Sequence, residues 1–306
     1  MSDDVPTVEF ADPVLLMDGG MGQEIRRRSG VGDAPLWSAQ VMMNDPTLVQ
    51  KTHEDYIRAG ARLITTNTYA STRWRMARVG AEAQFSDLNR IGGALAHQAR
   101  DNSGEPVLIA GCLPPLLKSY RPELVRSFEE NEPMYREQAE LLAPYVDLFL
   151  CETMSTADEA RAAVSGAAGV GKPIWVSWTL HDEGRTTLRS DETIAEAARA
   201  LEGLPVSAFL ANCCWPESIT AVMPELLALN KGPIGGHANG FTSIPPGWSV
   251  GQGVSLLERR LDLDPEAYAG HVDAWIDGGA TVVGGCCEVG PAHIARLRRL
   301  LDAACG

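Results

Sequence analysis

The sequence predicts a single-domain α/β protein with a (β/α)8 barrel of the TIM type, and two observations support this. Short apolar runs alternate with amphipathic helical stretches eight times along the chain. No linker, low-complexity stretch or charge block divides the 306 residues, so one domain is expected to span residues 1–306. A doubly wound sheet is the alternative. However, the glycine spacing of residues 18–22 (DGGMG) is not the GxGxxG that follows the first strand of a dinucleotide-binding fold.

The predicted strands are short and largely apolar, as expected for parallel strands that are buried on both faces of the sheet. Their order along the chain also leaves room for a helix after each one. The eight predicted strands are 14–18, 63–66, 107–111, 146–152, 174–179, 207–211, 234–238 and 281–284.

The predicted helices have recognisable starting residues. Three of them begin with a proline, whose missing N–H has no helical partner in the first turn, at Pro46, Pro265 and Pro291. Ser155 is the expected N-cap of a helix over 158–167, and Ser190 or Asp191 is the expected N-cap of a helix over 192–202.

Charge and composition exclude several classes of function. The 26 basic and 40 acidic residues give a net charge of −14, which argues against a nucleic acid or an anionic membrane as the main partner. The first residues carry acids and no apolar run, and no later apolar run reaches the roughly 20 residues of a membrane span. We therefore expect a cytoplasmic protein whose residues 1–11 form a flexible N-terminal segment.

Polar residues follow the predicted strands, and in a barrel the active site lies at these carboxyl ends. Loops often begin with Asn or Thr as turn residues, so those positions are weaker candidates than the acids and cysteines. The residues at the strand ends are Asp18, Asn67, Thr68, Cys112, Glu152, Thr179, Asn212, Cys213, Asn239, Cys286 and Cys287.

Two pairs of adjacent cysteines are the strongest chemical signal in the sequence. Cys213 and Cys214 end the sixth predicted strand, and Cys286 and Cys287 end the eighth. Thiols from these strands can converge above the barrel, and three thiolates with an open fourth position are typical of a catalytic zinc site. Buried inert thiols and a vicinal disulfide remain alternatives from the spacing alone. The six histidines show no HxH or HExxH spacing.

The chain resembles the homocysteine S-methyltransferases, a family with a zinc-dependent homocysteine-binding barrel. The matching segments occur in the order of the family and span nearly the whole sequence. They are MDGGMGQEIRRRSG (17–30), LWSAQVMMNDP (36–46), HEDYIRAGARLITTNTYAST (53–72), CETM (151–154), ANCCWP (211–216), ANG (238–240) and GGCCEVGPAHI (284–294).

The resemblance implies specific roles for residues of this chain. It implies a Zn²⁺ cofactor on three ligands, Cys213, Cys286 and Cys287. Cys214 is then a bystander. It also implies an amino-acid site in which two acids hold homocysteine and two glycines let its backbone approach closely, namely Asp18, Glu152, Gly19 and Gly20.

The implied reaction is methyl transfer from a sulfonium donor, S-methylmethionine or S-adenosylmethionine, to the homocysteine thiol, forming methionine. Betaine or dimethylsulfoniopropionate as donor and selenocysteine as acceptor are alternatives. A non-catalytic zinc- or thiol-binding barrel is the alternative from another class. A metal-dependent hydrolase would need histidine and carboxylate ligands that the pattern does not offer. The expected partners are small molecules, and the sequence is compatible with a homo-oligomer.

An onium donor would be held by aromatic faces near the strand ends. The candidate donor-binding residues are Trp37, Tyr69, Tyr120, Trp215, Asn239 and Trp248. The chain departs from the family at Glu288, where glycine is usual after the two cysteines, and in the loops over 111–123 and 237–248. These loops are expected near the methyl donor, so they bear on its identity.

Overall fold

Eight parallel strands form one sheet in this computed structural model, which describes residues 5–32, 36–245, 248 and 257–304. The sheet order is β1-β8-β7-β6-β5-β4-β3-β2, and a parallel bridge between Met17 and Leu63 completes the ring. The predicted (β/α)8 barrel is therefore confirmed. The strands are β1 Leu15–Leu16, β2 Leu63–Thr65, β3 Leu108–Leu113, β4 Leu148–Met154, β5 Ile174–Trp178, β6 Val206–Asn212, β7 Ile234–Ala238 and β8 Val282–Gly285.

Helices surround this ring and connect its strands. Short 3-10 turns lie at Glu82–Gln84, Pro122–Leu124 and Ala143–Tyr145. The described α-helices are α1 Met21–Ser29, α2 Trp37–Asn44, α3 Pro46–Arg58, α4 Arg73–Ala77, α5 Phe85–Ser103, α6 Phe128–Leu142, α7 Ala157–Ala168, α8 Ile194–Arg199, α9 Pro216–Ala228, α10 Pro265–Asp277 and α11 Pro291–Ala304. The three predicted proline starts are confirmed, at α3, α10 and α11. Within the described ranges, none of these helices combines the length and apolar character needed to cross a bilayer.

The predicted cap of α7 was wrong by one residue. Thr156 is the N-cap, and its hydroxyl accepts a hydrogen bond from the Glu159 N–H at 2.9 Å. Ser155 instead donates its hydroxyl to the Glu159 carboxylate at 2.8 Å. Serine and threonine are both common N-caps, so the backbone path decides which hydroxyl reaches the third amide.

The predicted start of α8 was also too early. The helix begins at Ile194, and Thr193 caps it in a reciprocal capping box with Glu196. Asp191 has a left-handed φ of 67°, so it belongs to the turn before the helix. The Thr-x-x-Glu pattern was the better signal, because both of its side chains satisfy free backbone donors.

Two apolar layers lie on the two faces of the strands. The larger layer fills the space between the sheet and the helices, and a smaller one fills the barrel interior. Residues 1–4 lie outside the described chain, but Val8 and Phe10 are partly buried against the interior layer. The flexibility of residues 1–11 stays a prediction.

Side chains alternate between these layers along each strand, as the two-residue period of a strand requires. In β4, Leu148 and Leu150 face the barrel interior, whereas Phe149 and Cys151 face the helices. Continuing this alternation by one step directs Glu152 inward at the carboxyl end of the barrel. The same phase in β6 directs Asn212 inward, above Ala208 and Leu210.

Candidate active site

A pocket opens at the carboxyl ends of the strands, where barrel enzymes place their active sites. Its lining combines thiols, carboxylates, aromatic rings and glycines from loops around the ring. The described lining residues are Asp18, Gly19, Gly20, Met21, Gly22, Trp37, Thr65, Thr66, Asn67, Tyr69, Tyr120, Glu152, Cys213, His237, Phe241, Trp248, Gly285, Cys286 and Cys287.

Three cysteine sulfurs meet at one side of this pocket. Cys213 Sγ lies 3.0 Å from Cys286 Sγ and 4.0 Å from Cys287 Sγ. The three sulfurs lie within 4.8 Å of one another. Thiolates in a tetrahedral zinc site, with Zn–S bonds of about 2.3 Å, are separated by about 3.8 Å, which these two distances bracket. The residues therefore fit a soft divalent metal with one position left for another ligand.

Backbone hydrogen bonds bring the two cysteine segments together. The Cys213 N–H donates to the carbonyl of His237 at 3.1 Å, and the Cys286 N–H donates to the carbonyl of Ala238 at 2.8 Å. Strand β7 therefore joins the end of β6 to the end of β8. Cys213 has a left-handed φ of 52°, the backbone bend that turns its side chain away from that of Cys214.

Two other described cysteines differ from this triplet in their surroundings. Cys214 is fully buried in the outer apolar layer, and burial raises the pKa of its thiol to about 12. Cys151 faces the same layer. In the triplet, hydrogen bonds from Cys286 and Cys287 hold the pKa of Cys213 well below its ordinary value. Cys305 lies outside the described residues.

Two buried carboxyl groups line another part of the pocket. Burial raises the pKa of Asp18 well above its ordinary value, and the charge of Glu152 acts in the same direction. The N–H of Thr65 donates to Asp18 at 2.9 Å and holds it in place. Burial raises the pKa of Glu152 to about 7, while a hydrogen bond with Cys112 opposes that shift. Two desolvated carboxyl groups in one pocket favour binding of a cation.

A sequence model of the homocysteine S-methyltransferases matches residues 15–301, which include the cysteine triplet and both carboxyl groups. The chain belongs to the homocysteine S-methyltransferase family. It is a methyltransferase enzyme.

Relatives of this family match over nearly their full length. A homocysteine S-methyltransferase of Escherichia coli is 29% identical over 93% of this chain and 94% of its own. A selenocysteine methyltransferase of Astragalus bisulcatus is 26% identical over 96% of this chain and 94% of its own. The metallated crystal form of the Escherichia coli homocysteine methyltransferase MmuM superimposes with a TM-score of 0.78 and 28% identity, covering 94% of this chain and 96% of that one.

The two glycines that this methyltransferase carries after Asp18 have a structural reason that the sequence did not reveal. A Cβ at Gly19 would lie 2.1 Å from the carbonyl oxygen of Val289. A Cβ at Gly20 would lie 2.6 Å from the carbonyl oxygen of Cys286. Both glycines line the pocket, but contact with the chain's own backbone, next to the thiols, is what excludes a side chain there.

Sequence reasoning missed the lining residues Thr65, Thr66 and His237, and Ser177 beside His237. His237 in β7 lines the pocket, and a ring nitrogen lies within 4.8 Å of Cys286 Sγ and a Glu152 oxygen. Its Nε2 lies 3.1 Å from Ser177 Oγ of β5, and burial lowers the pKa of its imidazole to about 4. The inward phase of β5 and β7 could have identified Ser177 and His237, because each stands at an interior position near a strand end.

The predicted aromatic donor site is only partly assembled. Four of its residues line the pocket, namely Trp37, Tyr69, Tyr120 and Trp248. Trp215 is absent from the described lining, and the guanidinium of Arg260 lies 5.2 Å from its ring centroid. Asn239 is fully buried, and its Oδ1 accepts the N–H of Phe241 at 3.2 Å. These two residues lie outside the described lining of the pocket.

Glu288, the departure from the usual glycine, connects the loop after β8 to two other segments of the chain. It has a left-handed φ of 67°, a conformation that glycine adopts without strain. Its carboxylate lies 3.3 Å from the guanidinium of Arg27 in α1 and 3.8 Å from that of Arg259. Arg259 pairs with Phe241 in an antiparallel bridge, so these ion pairs link the loop after β7 to α1.

Proposed function

We propose that this methyltransferase moves a methyl group from a sulfonium donor to the thiol of homocysteine, forming methionine, with Zn²⁺ on Cys213, Cys286 and Cys287. The observation that carries the proposal is the position of the thiol triplet in the same pocket as Asp18 and Glu152. A substrate with a sulfur at one end and an ammonium group at the other matches these two features.

The amino-acid end of the substrate is matched by groups of both signs. Asp18 and Glu152 are suited to the ammonium group, because a bound cation stabilises their charged forms against the cost of burial. The carboxylate is suited to the start of α1, where residues 19–22 line the pocket and no side chain caps the helix. The buried Nε1–H of Trp37 has no hydrogen-bond partner in the described part of the chain and can donate there as well.

The thiol triplet supports the chemistry proposed for the sulfur. When bound there, zinc would hold the sulfur of homocysteine as a thiolate, which is the nucleophilic form. The carboxyl groups hold the opposite end of the substrate, so the pocket fixes the direction from which the sulfur meets the methyl carbon. The sulfur–carbon bond forms as the donor's carbon–sulfur bond breaks, and the two opposite charges cancel. No general base is needed in that step.

The lining of the pocket favours a sulfonium over betaine. Trp37 and Trp248 provide aromatic surface for a cation, whereas the guanidinium of Arg75 already lies 5.0 Å from the ring centroid of Tyr69. Among the described lining residues there is no lysine or arginine, so the carboxylate of betaine would have no oppositely charged side chain. S-methylmethionine and S-adenosylmethionine each carry an amino group beside their carboxylate, which makes them net cations in a pocket with two acids.

A selenol acceptor is the second candidate. The observation that favours it is the similarity to the selenocysteine methyltransferase of Astragalus bisulcatus. Thiolate-bound metals also accept selenolates, because both are soft ligands. Selenocysteine is one methylene shorter than homocysteine, so the distance from the triplet to Asp18 and Glu152 decides between the two acceptors.

The experiment is a transfer assay on zinc-loaded, reduced protein with isotopically labelled homocysteine. S-methylmethionine, S-adenosylmethionine, betaine and dimethylsulfoniopropionate are offered separately, and labelled methionine is measured by mass spectrometry beside zinc content. We expect labelled methionine from a sulfonium amino acid and about one zinc per chain. Methionine from betaine alone would contradict the donor assignment. Faster methylation of selenocysteine than of homocysteine would move the acceptor to the second candidate, and full activity without metal would contradict the zinc site.

A further inference from the structure

Tyr120 contacts one of the three clustered thiols through its hydroxyl group. The residue lies on the loop between β3 and the 3-10 turn at Pro122–Leu124, and its oxygen lies 2.8 Å from Cys213 Sγ. Both side chains are buried. A thiolate has no proton to donate, so the phenol is the donor of this hydrogen bond whenever Cys213 is ionised.

The guanidinium cation of Arg189 lies over the ring of Tyr120. The guanidinium carbon of Arg189 lies 5.1 Å from the ring centroid, and Arg189 donates to the carboxylate of Asp182 at 3.1 Å. The Arg189 and Asp182 side chains are only 10% and 11% exposed. A cation over a phenol ring draws electron density from it and makes its O–H a stronger donor.

Two more features fix Tyr120 in this orientation. Trp248 packs against its ring with centroids 5.9 Å apart. Tyr120 also has a left-handed φ of 61°, which an aromatic residue rarely adopts and which surrounding contacts must maintain. The hydroxyl is directed at a thiol and Arg189 lies over the ring, so a cationic donor there would meet an existing positive charge.

We propose that Tyr120, oriented by Arg189, is a positioning residue that donates a hydrogen bond to the metal-binding thiolate of Cys213 and makes that sulfur less nucleophilic. The proposal rests on the proposed function, in which three thiolates share a pocket with an alkylating donor. Methylation of Cys213 would turn an anionic ligand into a neutral thioether, which is not among the usual protein ligands of zinc. The hydrogen bond therefore directs the methyl group to the sulfur of the substrate. This role replaces the donor-binding role expected for Tyr120 from sequence.

The first test measures the nucleophilicity of Cys213 with methyl iodide. In this reaction the sulfur attacks the methyl carbon, the carbon–sulfur bond forms, and iodide leaves with the electrons of the broken bond. Zinc-loaded wild-type protein and Tyr120→Phe are treated in parallel, and methylation of each cysteine is followed by peptide mass spectrometry. We expect methylation of Cys213 to be roughly fivefold faster in Tyr120→Phe, because the hydrogen bond stabilises the charged sulfur and reactivity follows basicity only in part.

Controls separate this effect from simple access to the pocket. The methylation of Cys286 and Cys287 in the same sample is the internal reference. Tyr69→Phe is the matched variant, because Tyr69 also lines the pocket but its hydroxyl lies 2.7 Å from Ser119 Oγ. We expect Tyr69→Phe to leave the ratio of Cys213 to Cys286 methylation unchanged.

The second test is spectroscopic and does not depend on access. Cobalt(II) in place of zinc gives a sulfur-to-metal charge-transfer band, and a more electron-rich sulfur moves that band to lower energy. We expect a shift to longer wavelength in Tyr120→Phe, a smaller shift in the same direction in Arg189→Lys, and no shift in Tyr69→Phe. The Arg189 variant also serves if Tyr120→Phe does not fold.

Unchanged Cys213 methylation and an unchanged cobalt band in a metal-loaded Tyr120→Phe protein would overturn the proposal. A rise in donor KM alone, with neither of those changes, would return Tyr120 to the donor site. Wild-type protein that binds neither zinc nor cobalt would instead contradict the proposed metal site, so the two failures are distinguishable.

Discussion

Asn212 of β6 fixes the carboxylate of Glu152 in β4, two strands away around the barrel. Its Nδ2 lies 3.4 Å from Glu152 Oε2 and donates to Thr153 Oγ1 at 2.9 Å. Its Oδ1 accepts the N–H of Thr153 at 2.8 Å. Thr153 has a left-handed φ of 61° where the β4 register shifts, so the amide also supports the local bend that presents Glu152 to the pocket.

Replacing this amide should weaken binding of the amino-acid substrate. We expect Asn212→Ala to raise the KM for homocysteine by roughly tenfold, because a hydrogen bond to a charged group contributes about 1.5–3 kcal/mol. Steady-state kinetics with each substrate varied separately measure the effect. Asn131→Ala is the control, because Asn131 of α6 is also buried but donates to the carbonyl of Arg126, just before that helix. A larger change in donor KM than in homocysteine KM would contradict the assignment.

Replacing a cysteine of the triplet should remove the bound metal, whereas replacing a cysteine outside it should not. We expect Cys286→Ser to lose bound zinc and transfer activity together, because serine is a much poorer ligand for zinc at neutral pH. Metal analysis after dialysis and a titration of free thiols measure this. Cys214→Ala is the matched control, because Cys214 lies in the outer apolar layer and should keep about one zinc per chain. A Cys286→Ser protein with full zinc would exclude the triplet as the metal site.

One tryptophan inside the described pocket lining and one outside it provide a test of the aromatic donor site. We expect Trp248→Leu to raise the KM for the sulfonium donor by about 3- to 30-fold, the range of a cation–π contact that is lost. Trp215→Leu should leave that KM within about twofold, because Trp215 packs on Arg260 and is not part of the described lining. Donor titrations at saturating homocysteine test both variants. Equal effects of the two substitutions would argue against an aromatic donor site.

Glu288 combines backbone strain with two ion pairs, and two substitutions separate these contributions. Glu288→Ala keeps the strain and loses the ion pairs with Arg27 and Arg259, so we expect it to destabilise the fold by about 1 kcal/mol. Glu288→Gly also loses the ion pairs but relieves the left-handed φ of 67°, so its net change should be near zero. Urea unfolding of metal-loaded protein measures both. A glycine variant less stable than the alanine variant would contradict this explanation.

Glu159, buried beside Ser155, predicts a pH dependence of stability. Burial raises the pKa of its carboxyl to about 7 from an ordinary 4.5. The folded state therefore holds a proton that the unfolded state releases, and this stabilisation is complete below about pH 4.5 and is lost as the pH rises through 7. We therefore expect the Tm of Glu159→Gln minus the Tm of wild type to increase between pH 5 and pH 8. The change corresponds to about 1–2 kcal/mol in the free energy of unfolding.

The matched control for that comparison is Glu130→Gln. Glu130 is exposed on α6, and a hydrogen bond from Arg126 holds the pKa of its carboxyl below its ordinary value. Its variant should show no such trend above pH 5, because the carboxyl is ionised there in both states. A constant difference between Glu159→Gln and wild type across the range would show that Glu159 is ionised in the folded protein.

The local sequence pattern was sufficient to predict the barrel and the types of residue at its strand ends. All eight strands were predicted, because parallel strands buried on both faces are continuous apolar runs that helices separate. The helix starts at Pro46, Pro265 and Pro291 were predicted because proline acts through its own ring and missing N–H. The cap at Thr156 was missed because the neighbouring Ser155 could also cap, and the cap at Thr193 was missed because its Thr-x-x-Glu pattern was overlooked.

The sequence by itself determined the family, the strand order along the chain and the residue types at the strand ends. Only the tertiary structure decided which of those residues meet. It brings Cys213 to Cys286 and Cys287 across 73 and 74 positions, and it leaves Trp215 and Asn239 outside the described lining of the pocket. It also directs Tyr120 at a thiol and Arg189 at its ring. The physical reason is that closing the barrel fixes the distances between strand ends. The contacts join loops that are far apart in sequence, and no local sequence pattern indicates which of those loops meet.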